Sequence, residues 1–302
     1  MSKAADSGIS PTLSSLGPVS FEFCIVAYRS ENVIAHAIAS VSDVANSRIA
    51  VCDNSPDGSS LEVAAQSAAT SEIAFRSIVA PENPGFAAAC NMLAVTSDAD
   101  WLVFLNPDAT VTTWPWGPGG PASDQIVGAE QMDSSGRLVG AYGTKYNVAE
   151  EIRRSWLRRP SPKPNCRGFV GGGAMAIERK RFLELGGFDA AFFLFYEDID
   201  LCMRAAEIGL AVFVETAWKV QHDLGHSARR NLGHALLTSY NSGRLFHRKY
   251  GHGIVRYDAY IAVDALLRWS RSFLLRNSEG RRAYAAVARA SISNLSRPQM
   301  GP

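Results

Sequence analysis

The chain has 302 residues, 47% of them hydrophobic and 20% charged, and a formal net charge of +1. Such a length supports one large α/β domain, or one domain with a helical extension, around a substantial core. The near-neutral total excludes a general nucleic-acid binder, and no run of about 18 apolar residues offers a membrane span.

In chain order, the Ser-, Gly- and Ala-rich stretch 1–18 reads as a disordered leader, with no apolar core or cleavage pattern of a signal peptide. Phe21 to Tyr28 predicts a buried strand, and Glu31 to Val44 a helix from the spacing of Val33, Ile34, Ala37, Ile38 and Val41. The rhythm repeats as strand 48–52, helix 60–69, strand 73–79, helix 85–96 and strand 101–105. Strands alternating with helices predict a mostly parallel sheet with right-handed crossovers. The segment Trp114 to Pro121, rich in Pro and Gly, excludes helix and central strand. Residues 126–132 and 138–142 suggest a short hairpin, and the basic, proline-containing stretch 153–167 a mobile loop. A glycine-interrupted strand over 169–177, a helix 180–185, a helix 198–208 and a strand 210–214 follow. Beyond Gly225 the pattern is helical almost to the end.

That last region is basic: from Arg229 onward twelve Arg and one Lys face only Asp258, Asp264 and Glu279. Over 254–276, aromatic and aliphatic residues interleave with Arg256, Arg268, Arg271 and Arg276. The pattern suits peripheral contact with an anionic membrane, packing on the preceding domain, or a homodimer, with packing favoured. Five cysteines, an odd number without metal-type spacing, fit a reducing cytoplasmic compartment.

Candidate chemistry gathers at strand ends, where open α/β sheets bind ligands. Asp53 suits either a nucleobase or ribose contact or capping of the next helix. Asn106-Pro-Asp108 emerges where a hard cation can bridge a carboxylate and a diphosphate, although the tripeptide is also an ordinary turn. Gly85, in Asn83-Pro-Gly-Phe, either lets backbone N–H groups approach a ligand or merely opens a helix. Gly171-Gly-Gly173 interrupts a strand, as a close substrate approach or a bulge would require. Glu197 and Asp198 end the apolar run Phe192-Phe-Leu-Phe-Tyr196, where desolvation raises a carboxylate's pKa toward that of a general base; helix capping by Asp198 is the structural alternative. His222, with His226 four residues on, lies near another strand end.

Taken in order, Asp53, Asn83-Pro-Gly-Phe with Asn91, Asn106-Pro-Asp108, Gly-Gly-Phe-Asp189, Tyr-Glu-Asp-Ile-Asp-Leu with Arg204, and His222 with Gly225-His-Ser227 resemble the inverting glycosyltransferases of family 2. The resemblance spans about Ser20 to Ser227 and is greatest to the rhamnosyltransferase branch. It implies the Rossmann-like GT-A fold over 19–228, flanked by helices, with a basic helical C-terminal extension over 229–302. It also implies roles. Asp198 would be the catalytic base. Tyr28, Asp53, Asn83, Gly85, Asn91, Asn106 and Asp108 would line the nucleotide-sugar site, and Gly172, Gly173, Glu197 and Arg204 the substrate site. Asp108 and His222 would hold Mg2+ or Mn2+. The family's usual Asp-X-Asp has asparagine at 106, which removes one carboxylate and leaves an amide able to hydrogen-bond the donor. The implied reaction moves L-rhamnose from dTDP-L-rhamnose to a glycan or lipid-linked acceptor in cell-wall, polysaccharide or glycoconjugate synthesis. Galactofuranosyl or other hexosyl transfer from a UDP- or GDP-sugar, and a non-catalytic nucleotide-sugar module, are the alternatives. A sugar nucleotidyltransferase would want a basic, glycine-rich loop after the first strand, and Ala27-Tyr-Arg-Ser-Glu-Asn32 is not one.

Overall fold

The computed structural model describes residues 18–139, 141–144, 146–156, 163, 168–222 and 231–296. The expected leader through residue 17, the Gly225-His226-Ser227 segment and most of the 157–167 stretch lie outside the described residues.

The elements run β1 (Phe21–Ala27), α1 (Ile34–Ala39), β2 (Ser47–Asp53), α2 (Ser59–Thr70), β3 (Ala74–Val79), α3 (Phe86–Val95), β4 (Trp101–Leu105), β5 (Ala109–Thr113), β6 (Gln125–Met132), β7 (Tyr142–Gly143), α4 (Val148–Trp156), β8 (Phe169–Val170), β9 (Ala174–Glu178), α5 (Arg179–Glu184), α6 (Glu197–Glu207), β10 (Ala211–His222), α7 (Leu232–Lys249), α8 (Ile254–Leu274) and α9 (Ser278–Leu295). Eight strands form one sheet in the order β3-β2-β1-β4-β9-β6-β10-β5, and β7 pairs with β8 in a second. In the large sheet four neighbouring pairs are parallel and three antiparallel.

The parallel half follows from the sequence pattern. Every residue of β1 and β4 is buried, as strands covered by helices on both faces must be. Side chains alternate across the sheet: Phe21, Phe23 and Ile25 pack with α1 and α2, while Cys24 and Val26 pack with α3 and α6.

The antiparallel half departs from expectation. The hairpin expected over 126–142 is reduced to its turn: the Asp133 and Val139 N–H groups donate to the Arg137 and Gln131 carbonyls around an isolated antiparallel Met132–Leu138 bridge, while the body of β6 pairs with β9 and β10. The glycine-rich strand splits, because Gly171 to Gly173 turn the chain out of the small sheet and into the large one. The first expected helix shortens to Ile34–Ala39 and ends in successive turns. Strand β5 was not expected, and residues 153–156 of the expected loop belong to α4. That helix carries its own signals, with Glu150 and Glu151 in the first turn and Arg153 and Arg154 in the last, each complementing the helix dipole.

The C-terminal region is helical as expected, and packing joins it to the sheet across the expected boundary at 228. Phe246 of α7 lies in the core beside Tyr196 and Phe192. Asp200, fully buried on α6, pairs with Lys249 at 2.6 Å and accepts the Tyr250 hydroxyl at 2.8 Å.

Candidate active site

The pairing register of β5 with β10 assembles half of the site. It sets His222 opposite Ala109, so the histidine meets Asp108 with Nε2 3.2 Å from Oδ1. Gln131 on the adjacent β6 is buried and places Oε1 2.8 Å from His222 Nδ1. A carbonyl oxygen only accepts, so Nδ1 carries a proton and the neutral ring leaves its Nε2 lone pair facing Asp108. Asn106 Nδ2 lies 3.3 Å from that same nitrogen. A lone pair and a carboxylate oxygen this close need positive charge beside them, which a second ring proton or a divalent cation supplies. Imidazole nitrogen with carboxylate oxygen is a donor set that divalent metals accept, so the two residues fit an Mg2+ or Mn2+. Among the described residues no group of three or more His, Cys, Asp or Glu could hold a metal. Further ligands would therefore have to come from bound substrate and water.

The other half is the start of α6. Phe195 and Tyr196 both adopt left-handed backbone, at φ 70° and 73°, which costs each non-glycine residue about 1–2 kcal/mol. Surrounding bonds hold them there. The Tyr196 hydroxyl donates to Glu151 Oε1 at 2.9 Å, His247 Nε2 lies 2.9 Å from the same oxygen, and Ser242 Oγ donates to the Leu194 carbonyl. The turn delivers Asp198 half-buried in the first turn of α6. Its Oδ2 accepts the Gly172 N–H at 2.9 Å and its Oδ1 the Ile199 N–H at 2.8 Å. Burial lifts its carboxyl above the ordinary value, although these N–H groups pull it down. The helix N-cap is Tyr196, so Asp198 is not the cap.

Gly171 to Gly173 connect the halves. The Gly172 N–H reaches Asp198, while the Gly173 carbonyl accepts the Asn106 N–H at 3.0 Å. A Cβ on Gly173 would lie 2.8 Å from His222 Cε1, whereas one on Gly172 would meet Asp198 Cβ and Phe86 Cε1 at an ordinary 3.5 Å. Gly172→Ala is therefore expected to melt close to wild type, and Gly173→Ala to lose about 1–3 kcal/mol through overpacking against a buried ring. Parallel thermal melts check this; equal losses would show that Gly173 is not confined by His222.

Among the residues expected to contact the nucleotide, Tyr28 stands exposed at the end of β1. Asp53 at the end of β2 is fully enclosed, its two oxygens accepting the Ser55 and Ser60 N–H groups at 2.9 Å, so here it serves the turn and first turn of α2. Asn83 Oδ1 accepts from Asn54 Nδ2 and the Gly85 N–H.

At four further expected ligand positions the neighbours are protein. Gly85, at φ 92°, makes room for protein: a Cβ would fall 2.4 Å from the Phe193 carbonyl, which already accepts the Phe86 N–H at 2.7 Å. Asn91 spends both amide groups on the Phe188 backbone. Arg204 binds Asp200 and the carbonyls of Leu185 and Gly187, so it clamps the Gly-Gly-Phe-Asp189 turn. Glu197 is buried, with Oε2 lacking a partner, and burial followed by the neighbouring Asp198 charge drives its carboxyl well above the usual range.

Gln131, Glu151 and His247 were not foreseen. Each acts through a partner distant in sequence, and none stands in a motif. The run Ala-Thr-Val-Thr-Thr113, rich in β-branched residues, was the one signal that would have revealed β5 and with it the Asp108–His222 pairing.

An α/β sheet of this topology, with Asp198 and a histidine–carboxylate pair at its carboxyl edge and helices at its C-terminal end, is that of the GT-A fold class. A sequence profile of the family described as Glycosyl transferase family 2 matches residues 22–114. The chain is 26% identical over 223 residues to N-acetylglucosaminyl-diphospho-decaprenol L-rhamnosyltransferases of two Mycobacterium tuberculosis strains, covering 60% of this chain and 70% of theirs. Its fold is similar to a mannosyltransferase from Pyrobaculum calidifontis in complex with GDP-Man and Mn2+, with TM-score 0.52 and 15% identity over 93% of this chain and 90% of that one. It is also similar to GalNAc-T7 with UDP, GalNAc and Mn2+, at TM-score 0.52 and 13% identity over 68% of this chain and 44% of that one. The glycosyltransferase family 2 match is confined to residues 22–114, and the similar proteins and structures are glycosyltransferases.

Proposed function

We propose that the protein is an inverting, metal-assisted glycosyltransferase that moves L-rhamnose from dTDP-L-rhamnose to a hydroxyl of a lipid-diphosphate-linked glycan. The observation that carries this reading is the glycine strap, which holds Asp198 on one side and the Asn106, Asp108 and His222 group on the other, with no side chain of its own between them. Asp198 takes the acceptor proton while the acceptor oxygen bonds the anomeric carbon. The bond to the diphosphate breaks on the opposite face, so one displacement inverts the centre and no protein nucleophile is needed. Asp108 and His222 would hold the divalent ion, which supplies positive charge to the diphosphate. Asn106 and the strap backbone orient the donor sugar, and Tyr28 offers a face for the base.

The donor and acceptor rest on the activity named for the Mycobacterium tuberculosis relatives. A UDP- or GDP-sugar is the second reading, favoured by the nucleotides bound in the similar structures. Among the described residues no helix is long and apolar enough to cross a membrane, and Cys24, Cys52, Cys90 and Cys202 are buried free thiols, which suits a cytoplasmic enzyme. Thermal melts with dTDP, UDP and GDP, each with and without Mn2+, test the donor. A bound nucleotide at about 100 times its Kd adds about 2.7 kcal/mol. A metal-dependent rise with dTDP alone is expected; a rise with another nucleotide moves the donor, and none with any of them removes the donor site.

A further inference from the structure

Helix α8 inverts the usual arrangement of a surface helix. Its inward face, with Tyr257, Tyr260, Ala262 and Ala265, is buried against α7, α9 and α4. Its outward face is apolar too. Val263, Leu266, Leu267, Phe273 and Leu274 recur at helical spacing and are exposed, Leu274 by 81%, and Leu275 just beyond the helix by 67%. Exposed apolar residues this concentrated mark an interaction surface. The stripe continues into a groove of about 670 Å³ between α4 and α8, whose lining includes Val148, Ile152, Trp156, Tyr260 and Val263.

Charge decides what covers it. Arg256, Arg271 and Arg276 are exposed along or beside the stripe, and Arg282 and Arg289 are exposed on α9. The two acidic residues of α8 are already engaged, Asp258 by Tyr240 and Arg244, and Asp264 by Trp156 and Arg268. A second copy would bring arginines against arginines. We propose that this face docks on an anionic bilayer, with the leucines and Phe273 entering the headgroup boundary and the arginines meeting lipid phosphates. None of the stripe or groove residues belongs to the glycine strap or to the Asn106, Asp108 and His222 group, so this inference does not depend on which sugar is transferred.

Sedimentation of the full-length protein with vesicles tests it, using phosphatidylcholine alone and phosphatidylcholine with phosphatidylglycerol. Binding is expected only with the anionic lipid and should fall with added salt, each arginine near the surface being worth roughly a factor of five. Phe273→Glu with Leu274→Glu should lower the bound fraction at least about tenfold, with an unchanged circular dichroism spectrum because both side chains are exposed. Arg271→Glu with Arg276→Glu should do the same on a face whose apolar residues are intact. Failure of the wild type to bind anionic vesicles overturns the proposal, as does equal binding by both double variants. Light scattering that shows a dimer which Phe273→Glu with Leu274→Glu separates, without vesicle binding, assigns the face to a second copy instead.

Discussion

Asp198→Asn is expected to lower the turnover of sugar transfer by about 10²–10⁴-fold, the range that a positioned general base contributes, while nucleotide affinity stays near wild type. The amide is close in shape and can still accept from one of the two backbone N–H groups that Asp198 engages, but it cannot take a proton. The nucleotide affinity separates this outcome from misfolding. The pH profile adds an independent check. Burial raises the Asp198 carboxyl above its ordinary value, and only the carboxylate is a base, so wild-type turnover should fall as pH drops through that raised value. Glu197 beside it, held well above the usual range by burial, stays protonated over a further interval and spares Asp198 an adjacent charge. The residual rate of Asp198→Asn should lack the acidic limb. A variant retaining near wild-type turnover would remove Asp198 from the chemistry.

The second large effect is expected at Asp108. Asp108→Ala should weaken nucleotide-diphosphate binding in the presence of Mn2+ by at least the roughly 10–100-fold that changes around metal ligands cost, and leave metal-free binding little changed. Titration calorimetry of the nucleotide with and without Mn2+ reads both numbers. The geometry gives the reason: Asp108 Oδ1 and His222 Nε2 converge within 3.2 Å, and Gln131 holds the ring proton on the far nitrogen. Unchanged metal-dependent affinity would mean that the charge between them is a ring proton, with Asp108 and His222 a simple ion pair.

Much of the parallel half of the molecule was legible before folding. The apolar runs expected as strands over 21–28, 48–52 and 101–105 became β1, β2 and β4, and the helices between them fell close to their expected bounds, apart from the shortened α1. Local patterns suffice there because consecutive elements pack beside each other. The functional motifs were legible as residues but not as roles. Asn91, Arg204 and Gly85 stand in family motifs yet bind protein backbone or make room for it, and motif membership alone does not distinguish a ligand contact from a structural one.

By itself the sequence determined the strand–helix alternation, the order of the acidic strand ends, the glycine strap and the basic helical end. Each is a property of residues near one another along the chain, where periodicity and turn chemistry act. Tertiary structure decided the rest. The β5–β10 register brought His222 to Asp108 across 114 residues, and Glu151 with His247 held the strained turn that presents Asp198. It also turned both faces of α8 apolar in different ways, one into the core and one to solvent. Strand order, register and which face of a helix is covered depend on partners far away in sequence, and only the packed chain supplies them.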